Sequence, residues 1–233
     1  MRNHQVVNKE QWLNLRKKLL TKEKEFTVLR DQLSQQRREM PWVKIDKNYR
    51  FNSTQGTESL ADLFNGKSQL IVYHFMFGPD WEQGCPSCSF WADNYDGVNI
   101  HLNHRDINLV TISRAEHHKL EEYKQRMGWN FKWVSSFGND FNFDFDVSFK
   151  SGEQQDRYYN YAKRGFLADE APGISVFIKN EEGEIFHSYS CYARGLDMLN
   201  GAYHLMDLTP KGRDEQDLPY SMAWVSRHDQ YED

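Results

Sequence analysis

At 233 residues the chain suits one domain with extensions rather than two full domains, and it is long enough to bury a sizeable core. Hydrophobic residues at 39%, aromatics at 15% and charged residues at 27% exclude both a disordered composition and one built for a lipid bilayer. With 29 Lys and Arg against 34 Asp and Glu there is no long basic block to meet nucleic acid, and no apolar run has the length of a signal peptide or a membrane span, so the expectation is a cytoplasmic protein that engages neither nucleic acid nor membrane.

In chain order, Gln11 to about Arg38 is rich in Lys, Arg, Glu, Gln and Leu, with Trp12, Leu15, Leu19, Phe26, Leu29 and Leu33 at alternating steps of three and four. That spacing predicts an amphipathic helix, with a break near Thr21 and a polar Lys22 interrupting the stripe. Two readings stay open for it: an arm that docks on its own domain, or a helical contact in a homodimer. Met40-Pro41-Trp42 ends it, because proline disfavours helix at the residue before it. Residues 1–40 are therefore expected as an N-terminal helical arm and 41–233 as the main domain, with an insertion around 139–170 and a C-terminal extension.

Gln69 to Phe77 is a near-continuous apolar run between Gly66 and Gly78-Pro79, the pattern of a strand buried on both faces. Asn108 to Ser113 is a second such run, followed by a helical stretch from Ala115 to Met127 that stops at Gly128. Trp133-Val-Ser-Ser is short, and Phe141 to Asp146 alternates apolar and acidic residues as a half-exposed strand or a binding loop would. The aromatic piece Tyr158-Tyr-Asn-Tyr161 falls in an insertion long enough to cover the cysteine turn described next. Gly173 to Lys179, a turn at Asn180 to Gly183, and Glu184 to Tyr189 form a β-hairpin pattern, and Leu196 to Met206 reads as a closing helix. Strands alternating with helices, then a hairpin and a helix, give the α/β class: a mixed sheet with helices on both faces.

Cys85-Pro86-Ser87-Cys88 lies just beyond the carboxyl end of the first buried strand, and Phe90 to Asn94 are able to begin a helix. A thiolate at a helix N-terminus is stabilised by unpaired N–H groups, which lowers its pKa. Cys85 is then the attacking thiol, and the spacing puts Cys88 on the same turn, where it resolves a mixed disulfide. The same spacing also supplies half of many zinc sites, but no second pair of this kind exists to complete one, and a structural, inert pair is the third reading. No metal and no cofactor is therefore expected. Pro172 stands at the start of the hairpin strand, where a missing N–H is tolerated and a cis bond would hold exposed backbone against the cysteines.

Several motifs carry a resemblance. Leu70 through Asp93, His101 to Asp106, Met127-Gly-Trp129, Val134 to Gly138, Tyr192 to Asp197, Asp207 to Asp214 and Met222-Ala-Trp224 closely resemble the bacterial thioredoxin-like family DUF899. The resemblance covers most of the chain and implies a thioredoxin-like fold, without a transferable activity. More remotely, the element order is similar to that of peroxiredoxins, which puts Cys85 at the peroxide-reacting position. Against a thiol peroxidase, Glu82 and Gln83 occupy the place of that family's loop hydroxyl, and Pro172 that of its arginine. What remains, two cysteines and a proline before the hairpin, is similar to thioredoxin and implies a thiol–disulfide oxidoreductase acting on a protein or small-molecule disulfide. The alternative is a non-catalytic thioredoxin-fold binding or assembly protein.

Other candidates have plainer readings. Trp81 and Trp91 flank the cysteines as core residues or as a docking surface for a partner disulfide. His101, His104 and Arg105 are surface residues or suppliers of a cation near a cysteine. Cys191 is a small buried hydrophobe or a further thiol brought near by the fold.

Overall fold

The computed structural model describes residues 4–150, 152, 156–163 and 165–232. The chain divides into two compact units between Pro41 and Trp42. Parts of the expected insertion, at 151, 153–155 and 164, lie outside the described residues, as do 1–3 at the start of the arm and residue 233.

The first unit is a single helix, α1 (Lys9–Glu39). Asn8 caps it reciprocally: its side-chain oxygen accepts from the Gln11 N–H at 2.9 Å, while the Gln11 side chain accepts from the Asn8 N–H at 3.3 Å. The break expected near Thr21 does not occur. Thr21 turns its hydroxyl to the Lys17 carbonyl at 3.3 Å, so its β-branched side chain is accommodated without loss of the helical ladder. Met40 leaves helical geometry with ψ 137°, as the residue before Pro41 must.

The second unit contains the strands β1 (Val43–Lys44), β2 (Arg50–Ser53), β3 (Gly56–Ser59), β4 (Gln69–His74), β5 (Ile107–Ser113), β6 (Lys132–Ser135), β7 (Tyr158–Tyr159), β8 (Ala162–Lys163), β9 (Gly173–Lys179) and β10 (Ile185–Tyr192). Its helices are α2 (Pro86–Ala92), α3 (Asn99–Asn103), α4 (His117–Arg126), α5 (Phe141–Asp144) and α6 (Gly201–Asp207). Among the described residues an eight-stranded sheet runs β1-β10-β9-β4-β5-β6-β2-β3, and β7 and β8 form a separate hairpin. β4, β5 and β6 are parallel, while β9 runs antiparallel beside β4 and β10 antiparallel beside β9. This is a thioredoxin-like mixed sheet, with β4 central and the parallel strands linked through helices.

Alternate residues of the central strands face opposite sides. Leu70, Val72, Val110, Ile112, Val134 and Phe177 point to one face, covered by Leu63, Phe64, Phe141 and Phe145. Tyr73, Leu109, Trp133 and Ile174 point to the other, covered by Trp91 from α2, Leu120 and Tyr123 from α4, and Tyr203 from α6. Both faces are buried, which is why β4 and β5 carry continuous rather than alternating apolar runs.

Two segments differ from their sequence reading. Phe141–Asp144 is a helical turn, not a strand; Phe141 and Phe145 lie one turn apart and both enter the core, so the apolar-acidic alternation is that of a single helical turn. The closing helix is split: Ala193–Leu199 is a 3₁₀ segment, and Asn200, extended at φ −108° and ψ 101°, caps α6 by accepting from the Tyr203 N–H at 3.1 Å. β2 and β3, too polar to announce themselves, extend the sheet beyond β6 through a single pairing of Asn52 with Ser135.

Candidate functional site

β4 delivers the chain to the carboxyl end of the sheet, where Phe75 to Gly84 turn back to start α2. The turn is pinned by backbone: the Cys85 N–H donates to the Met76 carbonyl at 3.1 Å, and the Met76 N–H points at the Cys88 sulfur at 3.4 Å. Cys85 is the N-cap of α2, with Pro86 in the first helical position, where its missing N–H costs nothing. The Cys85 carbonyl accepts from the Ser89 N–H at 3.0 Å and from the Ser89 hydroxyl at 2.9 Å.

The two sulfurs differ in environment. Cys85 is half-buried and Cys88 is 2% exposed. A hydrogen bond from the Cys88 thiol, reinforced by the backbone N–H groups of Cys88 and Ser87 and the Ser87 hydroxyl, pulls the Cys85 thiol down to about 7 against the opposing effect of burial. Burial pushes the Cys88 thiol well up, and the neighbouring Cys85 adds to it. Near neutral pH Cys85 is therefore partly ionised while Cys88 stays a thiol.

Beside Cys88 lies a cavity of about 210 Å³, walled by Tyr73, Met76, Trp91, Pro172, Leu196 and Met222, with Ser87 and Cys88 on one side and Arg194 and Asp197 on another. Pro172 and Cys88 thus face one cavity, although 84 residues separate them. The cis bond that the position of Pro172 would allow is not present: among the described residues every peptide is trans. Pro172 is held instead through its carbonyl, which accepts from the Tyr159 hydroxyl at 2.8 Å; the same hydroxyl accepts from the Ala193 N–H at 3.0 Å. The β7–β8 hairpin is in this way a brace behind the proline.

Of the other residues singled out in the sequence, Trp91 is buried, lines the cavity and donates its indole N–H to the Leu196 carbonyl at 2.8 Å. Trp81 is half-buried and packs on the same core cluster without lining the cavity. His101, His104 and Arg105 are exposed at α3 and its end. Cys191 sits on β10 opposite Ile174, packed against the cluster that contains Cys85 and Cys88. Among the described residues no group of three or more His, Cys, Asp or Glu side chains is gathered as a metal site.

The sequence reading missed the contribution of the C-terminal extension. The Arg227 guanidinium donates twice to the Gly84 carbonyl, at 2.7 and 3.1 Å, and once to the Tyr123 hydroxyl at 2.9 Å. Tyr123 in turn lies 2.9 Å from the Ser89 hydroxyl, so a chain of hydrogen bonds runs from Arg227 to the Cys85 carbonyl. Gly84 is required by space: a Cβ there would lie 2.7 Å from the Phe75 ring and 2.9 Å from the Tyr123 ring. Glu215 anchors the same extension, accepting from the Tyr203 hydroxyl, the Met222 N–H and the Trp224 indole at 2.8 to 3.1 Å. Arg227→Ala is expected to lower stability by about 2 kcal/mol, because it strands the Gly84 carbonyl and takes one of two partners from the Tyr123 hydroxyl, and to raise amide exchange in the Gly84–Cys85 turn. Urea unfolding with hydrogen exchange measures both; an unchanged exchange rate would refute the clamp.

Residues 1–231 match the family described as "Bacterial protein of unknown function (DUF899)". No curated protein matches the chain. Among solved structures, peroxidoxin BcpB from Mycobacterium tuberculosis is 10% identical, covering 69% of this chain and 93% of its own, with a TM-score of 0.48. A PrxQ variant from Xylella fastidiosa is 11% identical over 70% and 95%, at 0.44. A thiol:disulfide interchange protein from Bacteroides sp. is 13% identical over 76% and 97%, at 0.40.

Proposed function

The chain belongs to the bacterial DUF899 family, whose description assigns no activity, so we propose a function from the site itself: a thiol–disulfide oxidoreductase working through Cys85 and Cys88. The observation that carries this reading is the split between the two sulfurs, one half-buried and drawn down to about 7, the other buried and held protonated.

The Cys85 thiolate attacks one sulfur of a substrate disulfide, forming a mixed disulfide and releasing the first thiolate. Cys88 then attacks the Cys85 sulfur. The second substrate thiol leaves with the Cys88 proton, and the pair is left oxidised by two electrons. A dithiol reductant restores it. The apolar cavity beside Cys88 and Pro172 suits the group that flanks the substrate's sulfur, and Pro172 limits how the substrate backbone approaches.

The deciding experiment is the pH dependence of alkylation at Cys85 in the reduced protein, with Cys88→Ser and Cys191→Ser variants assigning the signal. Fast alkylation with a midpoint near 7 is expected. A slow or unshifted thiol, titrating near the free value of about 8.5, would sink the redox reading in favour of a thioredoxin-fold binding protein.

A further inference from the structure

α1 is 31 residues long and none of its residues is buried. Its apolar stripe stands open: Trp12, Leu15, Leu19, Phe26, Leu29 and Leu33 are 43 to 65% exposed. Contiguous apolar surface of that kind marks an interaction site. The steps of three and four make it a seven-residue repeat sustained over Trp12, Leu19, Phe26 and Leu33, the pattern of a coiled-coil seam.

The charges beside the seam say what covers it. Arg16, Glu23 and Arg30 flank one side, and Lys18 and Glu25 the other, so the signs alternate along both edges. We infer that α1 pairs with the antiparallel α1 of a second copy of this chain. In the register that sets Trp12 against Leu29 of the partner subunit and Leu15 against Phe26 of the partner subunit, Arg16 meets Glu23 of the partner subunit and Lys18 meets Glu25 of the partner subunit. Two-fold symmetry doubles each contact. Sliding by seven residues instead would set Arg16 against Arg30 of the partner subunit, and Glu23 and Glu25 each against its own equivalent.

Lys22 decides the orientation. A parallel pair would also oppose unlike charges, Lys18 with Glu23 of the partner subunit and Glu25 with Arg30 of the partner subunit. It would, however, force Lys22 against Lys22 of the partner subunit inside the seam. The antiparallel pair places Lys22 beside Leu19 of the partner subunit, with its ammonium held by Glu25 of its own helix at 2.9 Å.

Sedimentation equilibrium of the full chain tests this. The wild type is expected to be a dimer at micromolar concentration. Lys18→Glu and Glu25→Lys, each replacing two attractive contacts between subunits by two repulsive ones, are expected to raise the dissociation constant at least about tenfold, Glu25→Lys the more because it also takes the partner of Lys22, which a glutamate at position 18 supplies again in the double variant. The two together restore it to within about twofold, since antiparallel partners exchange charge across the seam. A monomeric wild type, single variants without effect, or rescue of Lys18→Glu by Glu23→Lys rather than Glu25→Lys would each overturn the inference.

Discussion

Cys85→Ser is expected to abolish disulfide reduction, with a fall of at least about a thousandfold, while leaving the fold intact. The Cys85 side chain makes no capping hydrogen bond to α2, so the near-isosteric serine costs the helix nothing but gives no thiolate, and removing a nucleophile removes the covalent step altogether. Cys88→Ser has a different expected signature: the mixed disulfide on Cys85 forms but does not resolve, and mass spectrometry detects the trapped adduct. The two substitutions at Cys88 also separate electrostatics from chemistry. The main cause of the low Cys85 pKa is the hydrogen bond from Cys88, so Cys88→Ala shifts the alkylation midpoint upward, while Cys88→Ser, which keeps a donor, shifts it less. Equal midpoints in the two variants would show that the Cys88 bond does not tune Cys85.

The second large effect is expected from Trp133→Ala, far from the sulfurs in sequence. Trp133 is 1% exposed on β6 and packs against Phe75, with ring centroids 4.6 Å apart, and against Phe77, Tyr123, Trp129 and Phe131. Its indole N–H donates to the Ser113 hydroxyl at 3.0 Å, and that hydroxyl donates to the Phe75 carbonyl at 2.7 Å. Truncation leaves a cavity and an unpaired buried hydroxyl oxygen, a loss of about 3–5 kcal/mol. Because Phe75 and Tyr123 are the rings that close on Gly84, the variant is also expected to slow Cys85 alkylation at pH 7 under conditions where it remains folded. Denaturant unfolding gives the first quantity and alkylation kinetics the second. A loss below about 1 kcal/mol would mean that this aromatic cluster repacks around the gap.

The parts of the fold that depend on local patterning are legible in the residues. β4 and β5 are legible because burial on both faces leaves no room for polar alternation, and Gly66 and Gly78-Pro79 bound the first of them. The β9–β10 hairpin is legible from its turn, where Asn180 accepts from the Glu184 N–H and Gly183 takes φ +83°. The cysteine turn was likewise visible, since strand, turn and helix start are neighbours in sequence. α1 was legible from its stripe, although Thr21 did not break it.

Contacts that cross long stretches of chain are visible only in the folded molecule. Arg227 reaches Gly84 over 143 residues and Pro172 meets Cys88 in one cavity, and no periodicity or spacing encodes such encounters because they arise from strand order and loop path. Phe141 and Phe145 entered the core on a helical turn, where a six-residue alternation satisfies a period of two as readily as one turn of a helix. The difference between Cys85 and Cys88 belongs to this second class too. Position at the helix start assigns Cys85 the attacking role in the sequence; burial of Cys88 and the hydrogen bond it gives, which draw the Cys85 thiol down and push the Cys88 thiol up, come only with the fold.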